Sequence, residues 1–131
     1  MGNRQQEIGR WGENLAADFL EKRRYSILER NYRTLSGEID LVALQDLGKE
    51  MVLVFVEVKT RTSESFGYPE QAITRKKWDH LLRAINDFQD NHPQYEYDWR
   101  VDVIAVQRLS VDQSPDIKHF ENVIFSNDPD Y

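Results

Sequence analysis

The 25 residues from Gly37 to Arg61, GEIDLVALQDLGKEMVLVFVEVKTR, limit the fold more than any other stretch of this chain. Two apolar runs flank DLGKE, in which Gly48 is the natural turn residue, so 37–45 and 51–61 read as two strands of a hairpin. Pairing that is symmetric about Gly48–Lys49 makes facing residue numbers sum to 97. Asp40 then faces Glu57, and Glu38 faces Lys59. Residues two apart on a strand share a face, so these four groups form one cluster. Directly opposed Cβ atoms lie about 4.5–5.5 Å apart. The other face reads Ile39, Leu41 and Ala43 against Val54, Val56 and Val58, and is wholly apolar. Nearer the turn, the cluster's own face carries Val42, Leu44, Leu53 and Phe55. Both faces are therefore covered, with charges at one end of an otherwise dry sheet. A one-residue bulge would shift this register.

A Glu38–Lys59 pair is an ordinary cross-strand salt bridge. Asp40 opposite Glu57 is not, because opposed like charges destabilise a sheet unless a cation or a proton relieves them. Mg²⁺ would do so, since it takes one or two carboxylates and completes its shell with waters and phosphate oxygens. A shared proton, or a purely structural pair, is the other solution, and spacing leaves both open.

The rest of the chain supplies the layers. Ile8, Trp11, Gly12, Leu15, Ala16, Phe19 and Leu20 recur at helical spacing and indicate a helix over about 4–23. YSILERNYR (25–33) alternates like a strand, and TLSG is a turn. TSESFGYP (62–69) reads as a loop, after which Pro69 suits the first turn of a second helix. Trp78, Leu81, Leu82, Ile85 and Phe88 form that helix's stripe, which ends near DNHP. WRVDVIAVQ (99–107) is a further strand, DQSPD a turn and 117–125 a last edge strand, with a frayed tail at 126–131. The order αβββαββ predicts an α/β fold with a mixed β-sheet of about five strands flanked by helices. The length of 131 residues suits one domain (1–131, core about 7–107), with no repeat or linker.

Cysteine is absent, which excludes disulfides, thiolate metal sites and a cysteine nucleophile, and suits a reducing cytoplasm. No stretch approaches the roughly 20 apolar residues of a membrane span, and MGNRQQEIGRWGE has no apolar signal core. The net charge of −6 opposes a polyanionic partner, but its distribution softens that. Residues 4–33 sum to +2 and 59–83 to +3, against −4 for 34–58 and −7 for 84–131. The basic excess flanks the hairpin, and local potential steers a polyanion more than the net sum does.

Asp40 followed on the next strand by Glu57-Val58-Lys59 resembles the PD-(D/E)XK motif of the restriction-endonuclease-like nucleases. GRWGENLAADFL, RNYRTLSGEIDLVA, VFVEVKTR, FGYPEQAI and VDVIAV resemble more closely one bacterial family, the YraN-like proteins, described as distant relatives of Holliday junction resolvases. The similarity runs over about residues 7–107, and Ile39 stands where the superfamily's name has proline. The resemblance implies a restriction-endonuclease-like core and metal-dependent hydrolysis of phosphodiester bonds in DNA, branched or junction DNA included. Asp40 and Glu57 would ligate Mg²⁺ or Mn²⁺ with the Val58 carbonyl. Lys59 would orient or activate the attacking water. Glu13 matches an acidic residue on the first helix of the resolvase-like branch, and would bind the metal through water or hold a second ion. Arg61, Arg75, Lys76 and Lys77 would hold the nucleic-acid backbone, with Ser36 nearby. A symmetric dimer is expected by analogy with the resolvases.

Each residue also has a plainer reading. Glu13 borders an apolar stripe and has the plainer reading of a solvated boundary residue, the lesser of the two. Residues 75–77 open a helix and read as a solvated face. Ser36 with Gly37 reads as a turn, and Gln71, within reach of the site from the second helix, reads more readily as a plain polar helix position. Asp102 is odd in an apolar strand, with a hydrogen bond or exposure at a strand end as its explanation. Trp11, Trp78 and Trp99 read as core; His80, His92 and His119 lack metal-ligand spacing and read as incidental. Two alternatives to a nuclease stand: a non-catalytic nucleic-acid-binding or protein-interaction module, and a retaining glycosidase built on two close carboxylates. Lys59 beside the pair, and the lack of an aromatic-rich groove, argue against the glycosidase.

Overall fold

A computed structural model describes residues 3–62, 73–108, 110 and 112–125. Most of the 62–69 loop, Pro69, Gln71 and the 126–131 tail lie outside the described residues. The elements are α1 (Arg4–Glu21), β1 (Tyr25–Arg33), β2 (Glu38–Asp46), β3 (Met51–Arg61), α2 (Arg75–Asn91), β4 (Asp98–Gln107) and β5 (Asp116–Phe120). They form one five-stranded sheet in the order β1-β2-β3-β4-β5. β3 and β4 are parallel and every other neighbouring pair is antiparallel. The expected order αβββαββ and the mixed sheet are both present, consistent with a restriction-endonuclease-like core.

Among the described residues, one helix covers each face. Ala16, Ala17 and Leu20 of α1 pack on Leu41, Ala43, Val54, Val56, Ile104 and Val106. Leu81, Ala84, Ile85 and Phe88 of α2 pack on Val42, Leu53, Phe55 and Val101. A strand covered on both faces needs apolar side chains on both, which is why Leu53–Val56 is an unbroken buried run. α1 starts with a reciprocal cap, Gln6 N–H donating to Asn3 Oδ1 (2.8 Å) and Asn3 N–H to Gln6 Oε1 (3.2 Å). The hairpin turn is closed by Gly48 at φ 89°, whose N–H donates to Asp46 Oδ1 at 2.8 Å.

The hairpin register is the expected one from Asp46↔Met51 to Leu41↔Val56, where the ladder stops. Beyond that point strict alternation fails. Ile39 does not join Leu41 and Ala43; it packs with Val42, Leu53, Phe55 and α2 on the opposite face. β1 does the same beside it. Asn31 has the left-handed φ of 52°. Arg30 consequently reaches α1, where it donates to Asn14 (2.8 Å), whereas Tyr32 reaches α2 and donates to Asp87 (2.7 Å). A further register shift lies between Ile27 and Glu29.

Two boundaries and one burial differ from the sequence reading. The helix carrying Trp78 begins at Arg75, where Thr74 caps it by accepting from Lys77 N–H (3.2 Å), and not at Pro69. The last strand is short, because Asn122 turns the chain at φ 55° after Phe120. Trp99, read as core, is 42 % exposed and touches Phe55 edge-on.

Candidate functional site

Asp40 lies just past the last hairpin pair, and its Oδ2 accepts from the Val58 N–H at 2.8 Å. In a strand the N–H and C=O of one residue leave on the same side, so the Val58 carbonyl also faces β2. The expected cluster is divided between two clefts. Asp40 lines one of about 460 Å³ on the α1 side, with Gln6, Arg10, Glu13 and Asn31. Glu57 lines one of about 360 Å³ on the α2 side, with Ile73, Lys77 and His80. Glu38 and Arg33 line both. A third hollow of about 400 Å³ joins Glu13 to Val58, Lys59 and Arg61.

Two glycines make this approach work. Gly12 is buried where α1 crosses β3, and a Cβ there would collide with Thr60, so helix and strand can close up only without one. That contact turns the next residue, Glu13, to the cleft rather than to open solvent. Gly37 likewise meets the backbone carbonyl of His80, which fixes the β1–β2 turn against α2.

The electrostatics are unbalanced. Burial pushes the Asp40 carboxyl up to about 8, helped by the Glu57 charge and then by Glu13 and Glu38, while the Val58 N–H opposes the shift. Burial also raises Glu57, against the pull of Lys77 and Lys59. Lys77 Nζ is 4.0 Å from Glu57 Oε1. Lys59 is held below its ordinary value by burial first, then by the Lys77 and Arg61 charges. Glu38 lies not against Lys59 but against Arg33 (3.4 Å), because the ladder has ended before it.

Two partly buried carboxylates that repel each other, beside a backbone carbonyl, suit a hard cation that takes few protein ligands. Among the described residues no group of three or more His, Cys, Asp or Glu is arranged to hold a metal ion. Asp40 and Glu57 would therefore be its carboxylates, with water completing the shell. Of the expected phosphate contacts, Lys77 and Arg61 line the clefts. Arg75 pairs with Asp79 (3.4 Å) and Lys76 is exposed at the start of α2. Ser36 is exposed in the turn and Gln71 lies outside the described residues.

Arg33, Arg10, Asn31 and His80 also line the clefts; the sequence reading did not single out the first three and took His80 as incidental. Arg33 had a signal, since it directly precedes the TLSG turn that leads into Glu38. Asp102 and His119, read as odd and incidental, are partners: His119 Nε2 is 2.7 Å from Asp102 Oδ2. Among the described residues no helix is long and apolar enough to cross a membrane.

The model of Uncharacterised protein family UPF0102 matches residues 12–106. A UPF0102 protein of Syntrophomonas wolfei is 42 % identical over 116 residues, covering 88 % of this chain and 96 % of that protein. One from Trichlorobacter lovleyi is 39 % identical over 122 residues, 93 % of each. One from Caldicellulosiruptor bescii is 44 % identical over 101 residues, 76 % of this chain and 82 % of that protein. The match spans α1 to β4 and so takes in Glu13, Asp40, Glu57 and Lys59. The chain belongs to the UPF0102 family, the YraN-like proteins.

Proposed function

We propose that this protein is a metal-dependent endonuclease that hydrolyses phosphodiester bonds in DNA, branched or junction DNA included. One juxtaposition carries the reading: Asp40 held on the Val58 N–H, beside Glu57, with Lys59 and Glu13 around the same strand end. Asp40, Glu57 and the Val58 carbonyl would hold Mg²⁺ or Mn²⁺. Such an ion, when bound, supplies Lewis acidity and a water of lowered pKa. Lys59, its charge already disfavoured, orients the water and takes up its proton as the oxygen attacks phosphorus. The phosphorus–oxygen bond to the leaving nucleotide breaks, and that oxygen gains a proton from solvent. Glu13 orders the water on the α1 side. Lys77, Arg61 and Arg33 face the phosphates, which sets position rather than sequence. A cytoplasmic location and a symmetric dimer belong to the same proposal.

The second reading is a module that binds nucleic acid or a protein without cutting. It is favoured by the finding that, among the described residues, no group of three or more His, Cys, Asp or Glu is arranged to hold a metal ion. Calorimetric titration of Mg²⁺ and Mn²⁺ into the wild type and Asp40→Asn, alongside labelled single-stranded, duplex, flap and four-way-junction DNA, separates the two. The endonuclease binds metal and cuts at least one substrate, and Asp40→Asn loses both. Lys59→Met keeps metal binding and loses about 10²–10⁴-fold in cleavage rate. DNA binding with neither metal binding nor cleavage, at millimolar metal, establishes the module instead.

A further inference from the structure

The β1–β2 and β2–β3 turns each carry a leucine at the tip, and they differ. Leu47 in the β2–β3 turn is 49 % exposed, while Leu35 in the β1–β2 turn is 109 % exposed, more than in an extended chain. The turn that holds Leu35 out is tightly built. Thr34 N–H donates to the Gly37 carbonyl at 2.8 Å. Thr34 Oγ1 accepts from Ser36 N–H (3.1 Å) and from Gly37 N–H (3.0 Å). From behind, Gly37 sits on the His80 carbonyl so closely that no Cβ would fit. Leu35 is thus an apolar tip on a braced stem.

The stem borders the cleft. Arg33, Thr34, Gly37 and Glu38 line the same hollow as Glu57 and Lys77. The flanking groups are small, polar or cationic: Arg33 is mostly exposed and only loosely paired with Glu38. Scattered surface leucines are ordinary, but Leu35 stands fully clear of the surface where Leu47 does not. A protein interface would surround such a residue with further apolar surface, which Thr34, Ser36 and Gly37 do not provide. A lone apolar tip two residues from a cation, Arg33, at the lip of a cleft that also holds Lys77, is an arrangement suited to parting stacked bases.

We propose that Leu35 is a wedge that enters the base stack of a nucleic-acid duplex at the lip of the Glu57 cleft, so that the site favours branched or distorted DNA, whose stacking is already broken. This rests on the endonuclease reading and names its substrate preference. Insertion costs unstacking, least where a junction has already unstacked the step. Arg33 would hold the adjoining phosphate while Leu35 fills the opened step.

The test uses a four-way junction carrying 2-aminopurine beside the branch point, in EDTA so that nothing is cut. Binding of the wild type raises the fluorescence several-fold. Leu35→Ser abolishes the rise and weakens junction binding by about tenfold, with single-strand binding unchanged. Leu35→Phe retains the rise. Melting temperature is the same in all three, since the side chain touches nothing. If Leu35→Ser binds and brightens the junction like the wild type, the wedge is wrong and the endonuclease reading stands. If the wild type binds no nucleic acid, both fall. If Leu35→Ser instead dissolves a dimer in sedimentation with no effect on DNA, the tip is a contact between copies and the proposal is overturned.

Discussion

Asp40 and Asp102 stand on strands two apart in one sheet, both inside the fold, and they are held in opposite ways. Asp102 is wholly buried yet fully answered. Arg100 donates to it through Nε at 2.9 Å, His119 through Nε2 at 2.7 Å, and Asn122 through its backbone N–H at 2.9 Å. Burial alone would raise its pKa, but these hydrogen bonds outweigh burial and hold it below the ordinary value. Arg100 extends the network to Gln45 (2.8 Å) and Tyr25 (2.9 Å). Asp40 is less buried, accepts from the Val58 N–H, and faces three carboxylates. Depth therefore does not distinguish a site from a strut. What distinguishes them is whether the fold itself balances the charge it has enclosed.

Breaking the balanced side should have the largest effect. Asp102→Ala leaves Arg100 enclosed without its partner and should cost about 3–5 kcal/mol in urea unfolding at neutral pH. Its pH signature is also set. The stabilisation from Asp102 is present above the unfolded carboxylate pKa and is lost as pH falls through its lowered folded value.

Asp40 should behave in reverse. Its folded pKa of about 8 lies above the unfolded value, so its contribution to metal-free stability is fully present below the unfolded carboxylate pKa and is lost as pH rises to about 8. Asp40→Asn keeps the acceptor for Val58 and removes the charge. At pH 8 in EDTA it should unfold later than the wild type by on the order of 2 kcal/mol, and the two should converge near pH 4. An equal effect at both pH values would mean that Asp40 is as well compensated as Asp102.

The smallest effect belongs to Glu38→Gln. Its pair with Arg33 is exposed, so stability should change by less than about 0.5 kcal/mol. Removing that charge should nonetheless lower the Asp40 titration seen by carboxyl-carbon NMR, since Glu38 helps to raise it. No movement would separate the two groups electrostatically.

The same contrast explains what the sequence disclosed. The hairpin register follows from a single turn residue, Gly48, and from two apolar runs that must both be buried, so it could be counted from the chain. The break at Asp40 could not. It lies beside Asn31 of β1, whose backbone is left-handed, and no pattern within β2 announces a neighbour's conformation. Asp102 was conspicuous in VDVIAV, but its partners lie at 100, 119 and 122, and two of those are on the far side of a turn. Lys77 lies in the first turn of α2, which Thr74 caps, and from there comes within 4.0 Å of Glu57, a pairing across 20 residues that no local pattern announces. Local periodicity sets elements and long-range pairing sets charges, so the fold was easier to read than the balance within it.

The parallel pairing of β3 with β4 has a consequence for the order of assembly. Glu13, Asp40, Glu57 and Lys59 all belong to the first three strands and α1, whose antiparallel neighbours are close in sequence. β4 can join β3 only after the whole of α2 has been laid down between them. Loop closure over that distance is slower than forming a hairpin, so docking of β4 is the expected rate-limiting event. During synthesis the repelling carboxylates would come together first, on a sheet whose other edge is still open. The acidic last third, with Asp102 as its fastening, then acts as the late-arriving half that makes an early and unfavourable arrangement permanent.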